Sequence, residues 1–422
     1  GGLVGRHRYA KAVTNASADG DVTTDGNHVG GLFGYSDSTE VNSASATGAV
    51  TTDGNQAGGL IGNFEGGTIA NSTTTGNVES TSKGYVGGLV GYYDDNSGVD
   101  SLIENVSATG AVTGNDRYVG GLIGQSKTDD NDGTTITDAH AAGDVTEASG
   151  ENNDHVGGLI GEITSAGTIT DVSATGTVRA NGSEVGGLIG RLDHERAGFN
   201  DRRHPYGVEN ASANGDVSTD GTYVGGLVGR HRFAKAVMNA SATGDVRTDG
   251  NQVGGLVGKL LGGRVTDSVA MGDVESSSKG YVGGLVGYHR DNGRSDSLFR
   301  NVSAAGDVTG SDRYVGGLIG RSLTDDNDGT AITDAHAAGD VTEASGNNND
   351  HVGGLIGEIT SAGDITDVSA SGSVRANGSE VGGLVGRLDH ERAGFRDRRH
   401  PYSVENASAT GNVTTDGKYV GG

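Results

Sequence analysis

A five-residue string, Gly-Gly-Leu-(Val/Ile/Phe)-Gly, recurs thirteen times in this chain of 422 residues, beginning at Gly1, Gly30, Gly58 and Gly87 and running to Gly382. The base spacing is about 29 residues, and the longer units carry their extra residues directly after the string. A second period lies above the first: residues 58–224 return as 254–420, insertions included. Such a chain is constrained to stack. Each unit is too short to bury a core alone, so neighbouring units must cover one another.

The rest of each unit shows how. In Asn105-Val106-Ser107-Ala108-Thr109-Gly110-Ala111-Val112, one parity is Val, Ala, Gly, Val. The other parity of the same segment in the first unit is Asn15, Ser17, Asp19 and Asp21. Period two with one small apolar face predicts strands that present one side to a tight interior and the other to water. Ala and Gly at fixed inward places predict a close opposite wall, hence a narrow, flattened coil. Asp-Gly, as at Asp25-Gly26, supplies a turn signal. No stretch sustains a 3.6-residue apolar pattern, which argues against helix. The expected fold is all-β, a β-solenoid of about thirteen stacked coils with an Ala/Gly/Val interior, continuous over residues 1–422. The Leu of the string and its Val, Ile or Phe neighbour would point to opposite faces of a straight strand. Two arrangements fit them: a second apolar row covered by loops or a partner, or a sharp bend that turns both inward.

Composition bears on this in two ways. With 80 Gly, 2 Pro and no Trp, the chain has few large side chains for a broad core. Glycine at this level without a three-residue period excludes collagen and raises disorder as the rival; the regular Val, Leu and Ile placement opposes it. Glycine in strands costs roughly 0.5–1 kcal/mol each, which hydrogen bonding between stacked coils must offset. The formal charge is −25. Such a surface repels nucleic acid and anionic lipid, and two readings fit it: simple solubility, or work in high salt, where screening removes self-repulsion. There is no Cys, so no disulfide and no thiolate metal site. No apolar run is long enough to span a membrane. No leader is evident, and the chain reads as a segment of a longer array.

The string followed by Asn-x-Ser-Ala-Thr-Gly-x-Val, as at Asn105–Val112 and Asn239–Val246, resembles the GLUG motif. That resemblance covers the chain in thirteen copies. It implies a bacterial or archaeal surface protein of the adhesin-like, haemagglutinin-like or immunoglobulin-A-peptidase-like kind, with a repetitive β architecture. The acidity and the long insertions depart from the usual pattern.

Candidate sites are few. Sequons fall at one fixed place in the repeat, at Asn15, Asn71, Asn105, Asn210, Asn239, Asn301 and Asn406, and elsewhere at Asn181, Asn377 and Asn412. The fixed place lies on the outward parity, where a sugar or a plain polar ladder both fit. The acidic insertions containing Asp129, Asp130 and Asp132, and Asp325, Asp326 and Asp328, offer oxygens suited to calcium. Their spacing is not that of an EF-hand, and a solvated acidic loop is the stronger reading. Basic inserts at Arg6-His7-Arg8, Arg230-His231-Arg232, Arg202-Arg203-His204 and Arg398-Arg399-His400 stand out from the acidic body. They are too short for nucleic acid and fit docking between copies or local charge balance. No P-loop, metalloprotease or nucleophile-elbow motif is present. The expected role is a non-enzymatic structural or adhesive surface fibre, with its own copies as lateral or end-to-end partners. Two alternatives stand beside it: a stalk that binds surface glycans, and the accessory region of a secreted enzyme.

Overall fold

The computed structural model describes residues 1–9, 11–37, 40–95, 101–115, 117–128, 133–148, 154–164, 166–193, 207–232, 236–291, 297–311, 313–324, 329–344, 350–360, 362–389 and 403–422. They fall into two compact units, Gly1–Asp220 and Gly221–Gly422. Each is a β-solenoid, and among the described residues every regular element is a strand. The two-strand coil read from the sequence is in fact a four-strand coil. A representative turn runs Ile123–Thr128, Thr134–Ala141, Val145–Glu147 and His155–Gly157. We call the sheets built from these strands A, B, C and D.

All the pairings are parallel. In the first unit Ile61 pairs with Val90, Val90 with Ile123, Ile123 with Ile160 and Ile160 with Ile189 in sheet A. In sheet B, Ile69, Ile103, Ile136, Ile169 and Val208 line up in one row. The second unit repeats this, with Val257 on Val286, Val286 on Ile319 and Ile319 on Ile356. Register is kept across coils of different length because insertions sit between strands: the coils beginning at Gly120 and Gly316 carry further residues between sheets C and D, and most insertions lie between sheets A and B. Where they end, a bulge at Thr134–Ile136 absorbs the mismatch.

The Gly-Gly-Leu string is the bend between sheets D and A, which decides between the two arrangements left open by the sequence. Leu122 and Ile123 are adjacent and both fully buried, as are Leu159 and Ile160. The hydrogen-bond ladder passes through the bend without a break: the Leu122 N–H donates to the Leu159 carbonyl at 2.8 Å and the Ile123 N–H to the same oxygen at 3.0 Å. Glycine is required there for space. A Cβ on Gly121 would lie 2.0 Å from the Gly158 carbonyl oxygen and 3.0 Å from the Ala141 Cβ on the opposite wall. That Gly–Ala contact is the narrow interior expected from the inward parity, whose Val106, Ala108 and Val112 are buried. A second glycine ladder stacks at the corner between sheets B and C, where a Cβ on Gly143 would fall 2.0 Å from the Gly110 carbonyl oxygen.

Candidate functional site

The sequon position proves to be a corner. In all thirteen coils it is the one non-glycine residue inside or leading into the sheet B strand with a left-handed backbone, from Asn15 at φ 54° through Asn105 at φ 48° to Asn406 at φ 51°. Among ordinary residues only Asn and Asp adopt this conformation with ease, because their short side chains bond locally. The remaining coils accordingly carry Asp138, Asp171, Asp267, Asp334 and Asp367 there, with Ser43 the one exception. The side chains form a ladder on the outer face. The Asn105 amide donates to Asn71 Oδ1 at 2.6 Å, Asn210 to Asp171 at 3.0 Å, Asn301 to Asp267 at 2.7 Å and Asn406 to Asp367 at 2.9 Å. All seven sequon Asn are exposed. Asn105→Ala should therefore cost about 1–2 kcal/mol in urea denaturation, through left-handed strain, while Asn105→Gly should cost less. Equal losses for the two variants would show that the amide ladder, and not the backbone, carries the effect.

The acidic insertion residues Asp129, Asp130, Asp132, Asp325, Asp326 and Asp328 lie outside the described residues, as do Arg202, Arg203, His204, Arg398, Arg399 and His400. Among the described residues no three His, Asp or Glu are placed to share a metal ion, and no helix is long and apolar enough to cross a membrane. Of the basic inserts, Arg6 and Arg8 lie over the Tyr35 ring at 5.1 and 5.5 Å, and His231 is fully buried.

The richest chemistry is a feature that sequence reading passed over. The residue two before each Gly-Gly pair and the residue seven further on flank the bend, and stacking turns them into two adjacent ladders. Tyr85 meets Tyr92 at 4.7 Å between ring centroids and stacks on Tyr118 of the next coil at 5.0 Å. Tyr118 then meets His155 at 5.2 Å. Burial and the nearby Glu162 push the Tyr118 phenol up to about 12. Beyond it the ladder turns ionic: His155 lies 3.6 Å from Glu162 and 3.5 Å from Glu184, and Arg191 reaches Glu162 at 3.4 Å, Glu184 at 3.5 Å and Asp193 at 2.7 Å. Burial works to raise the Glu162 carboxyl, but the hydrogen bond and charge of His155, with Arg191, hold it below the usual range. Tyr281, Tyr288, Tyr314, His351, Glu358 and Glu380 repeat the pattern in the second unit, with His351 donating to Glu358 at 2.7 Å. The signal was present in the sequence: nine of the 13 Tyr occupy these two positions. It was hidden because each residue is seven places from its neighbour across a bend, and about 29 or more from its neighbour along the stack.

One constellation has the elements of a nucleophile relay. His140 joins Asp138 at 3.0 Å and Ser173 of the next coil at 2.8 Å, and His336 joins Asp334 and Ser369 in the same way. His140 and Asp138 are about half exposed on the flat outer face of sheet B, and the N–H of Thr175 nearby is committed to the Ala141 carbonyl. Acyl transfer also needs aligned donors for the oxyanion in a water-excluding site. The arrangement serves here as a polar staple between coils.

Four parallel sheets closed around a thin apolar interior, with coil hydrogen-bonded to coil within each unit, define a β-solenoid repeat protein. The family model of the GLUG motif matches residues 83–113, 152–179, 249–275 and 348–375, each match running from sheet D through A and B into C, one turn of the solenoid. The chain is a GLUG-repeat protein, and its fold is a structural one. No curated protein and no solved structure matches it.

Proposed function

We propose that the chain is a non-enzymatic structural and adhesive segment of an extracellular or cell-surface fibre. The observation that carries this reading is uniformity: the same four registers and the same corner residue recur coil after coil. A scaffold gains from that sameness, whereas a catalytic centre is built once. The charge of −25 supports a setting in high salt. So does the acidic row in the second unit, where Asp245, Asp273, Asp307 and Asp340 occupy successive coils. Each accepts from the next coil's backbone N–H at 2.7–2.9 Å. Copies of the chain are the natural partners for lateral or end-to-end association, and nucleic acid and membrane insertion play no part. The exposed Asn ladder supports glycan attachment, since a sugar on Nδ2 leaves the second amide hydrogen for the ladder.

Antibody against the chain should label intact, unpermeabilised native cells, and the labelled protein should exceed its bare polypeptide mass of 42.3 kDa per such segment. Label only after permeabilisation would overturn the surface assignment, and bare mass would remove the glycans alone. A second reading, a stalk that holds carbohydrate, is favoured by the tyrosine and ionic double ladder.

A further inference from the structure

We infer that the double ladder of the second unit binds an anionic linear polysaccharide, one bearing uronate or sulfate groups. This rests on the carbohydrate-holding reading and names its surface and ligand class.

The inference starts from how the two long repeats differ. Along the double ladder, positions 58–224 and 254–420 are identical but for two: Asn63 is matched by Lys259, and Gln125 by Arg321. Both differences replace a neutral side chain with a cation. Arg230 stands one coil before Lys259, so three cations, besides Arg387 further along, lie on one face of a unit in a strongly acidic chain. They are set among tyrosines. Lys259 Nζ sits 4.7 Å from the Tyr223 centroid and 5.6 Å from that of Tyr288, Arg230 lies 5.4 Å over Tyr223, and Arg321 lies 4.7 Å over Tyr314. Tyr223 and Tyr288 flank Lys259, and Tyr281 and Tyr314 flank Arg321, which orients both charges on this face. Glu358 pairs with Arg321 at 3.2 Å, and Glu380 pairs with Arg387 further along.

Ligand class follows from charge spacing and ring chemistry. Coils are about 4.8 Å apart, so Arg230 and Lys259 are separated by one coil and Lys259 and Arg321 by two. A polysaccharide with an acid group on every sugar or every second sugar presents charges at comparable intervals. Its hydroxyls suit the phenol edges and the Gln252 amide that share the face. A nucleic acid duplex carries roughly one charge per 1.7 Å and would be repelled by the acidic body around so small a patch.

The test uses the full chain with polygalacturonate as probe at low ionic strength, and dextran and duplex DNA as comparisons. Polygalacturonate should bind, more weakly as salt is raised, with dextran and DNA bound far less. The pair Lys259→Asn and Arg321→Gln should weaken binding about tenfold, as expected for the loss of two half-buried charge contacts of modest strength each. Those residues already stand in the first unit, so the fold tolerates them. The reciprocal pair Asn63→Lys and Gln125→Arg should add a second site and raise the stoichiometry. Absence of polygalacturonate binding, equal binding of dextran or DNA, or indifference to the exchange would each overturn the inference. Labelling of intact cells reads the surface assignment separately, so the two can fail independently.

Discussion

Gly121→Val is expected to destabilise the first unit by about 3 kcal/mol or more, the upper end of what overpacking costs. The glycine lies at the bend between sheets D and A, where the new Cβ would fall 2.0 Å from the Gly158 carbonyl oxygen. That oxygen belongs to the next coil's backbone, whose ladder bonds hold it in place, so it cannot swing aside as a side chain would. The other side is closed as well, by the Ala141 Cβ at 3.0 Å. Ala141→Leu, pressing on the same contact from the opposite wall, should act in the same direction. Gly20→Ala is the comparison, because its Cβ would meet nothing within 4 Å. Urea denaturation gives the midpoints, and hydrogen exchange should show the loss centred on the coils around residue 121, since each coil of a solenoid leans only on its neighbours. A wild-type midpoint for Gly121→Val would mean that the coils are further apart than described.

The second large effect is on acid stability. His289 is fully buried, with Nδ1 at 2.9 Å from Ser322 Oγ, Nε2 at 3.1 Å from Ser297 Oγ and Phe299 edge-on at 5.2 Å. Burial pulls its pKa down from 6.5 to about 3. Between those values the unfolded chain holds a proton that the folded chain does not. Stability is therefore fully present above pH 6.5 and falls as the pH drops toward 3. Lowering the pH from 7 to 5 should remove about 2 kcal/mol from the second unit. The depressed carboxyls of Glu162 and Glu358 act in the same sense at lower pH, losing their contribution as they protonate. The first unit carries Tyr93 at the matching place, fully buried and donating to the Gly67 carbonyl at 2.6 Å. His289→Tyr should accordingly flatten the pH dependence of the second unit between pH 5 and 7 by one proton. An unchanged slope in that variant would assign the acid sensitivity elsewhere.

Much of this molecule is written locally. The repeating string, the inward Val-Ala-Gly-Val parity and the placement of insertions determine a parallel stack with a thin core, because two-residue periodicity and repeated glycine leave no other way to bury the apolar rows. Other features depend on which residues stacking brings together. The string could be strand or bend, and only the position of Gly121 against Gly158 and Ala141 made it a bend with both Leu122 and Ile123 inside. The sequon Asn read as an outward strand residue, and the closing of the coil made it a left-handed corner. The double ladder was invisible for the same reason: Tyr223, Lys259 and Tyr288 are far apart along the chain and become neighbours only when coils stack. Side-chain periodicity is a property of the local backbone, so the sequence alone determined the solenoid; adjacency along its axis is a property of stacked coils, so only the tertiary structure decided which faces carry charge and aromatic rings.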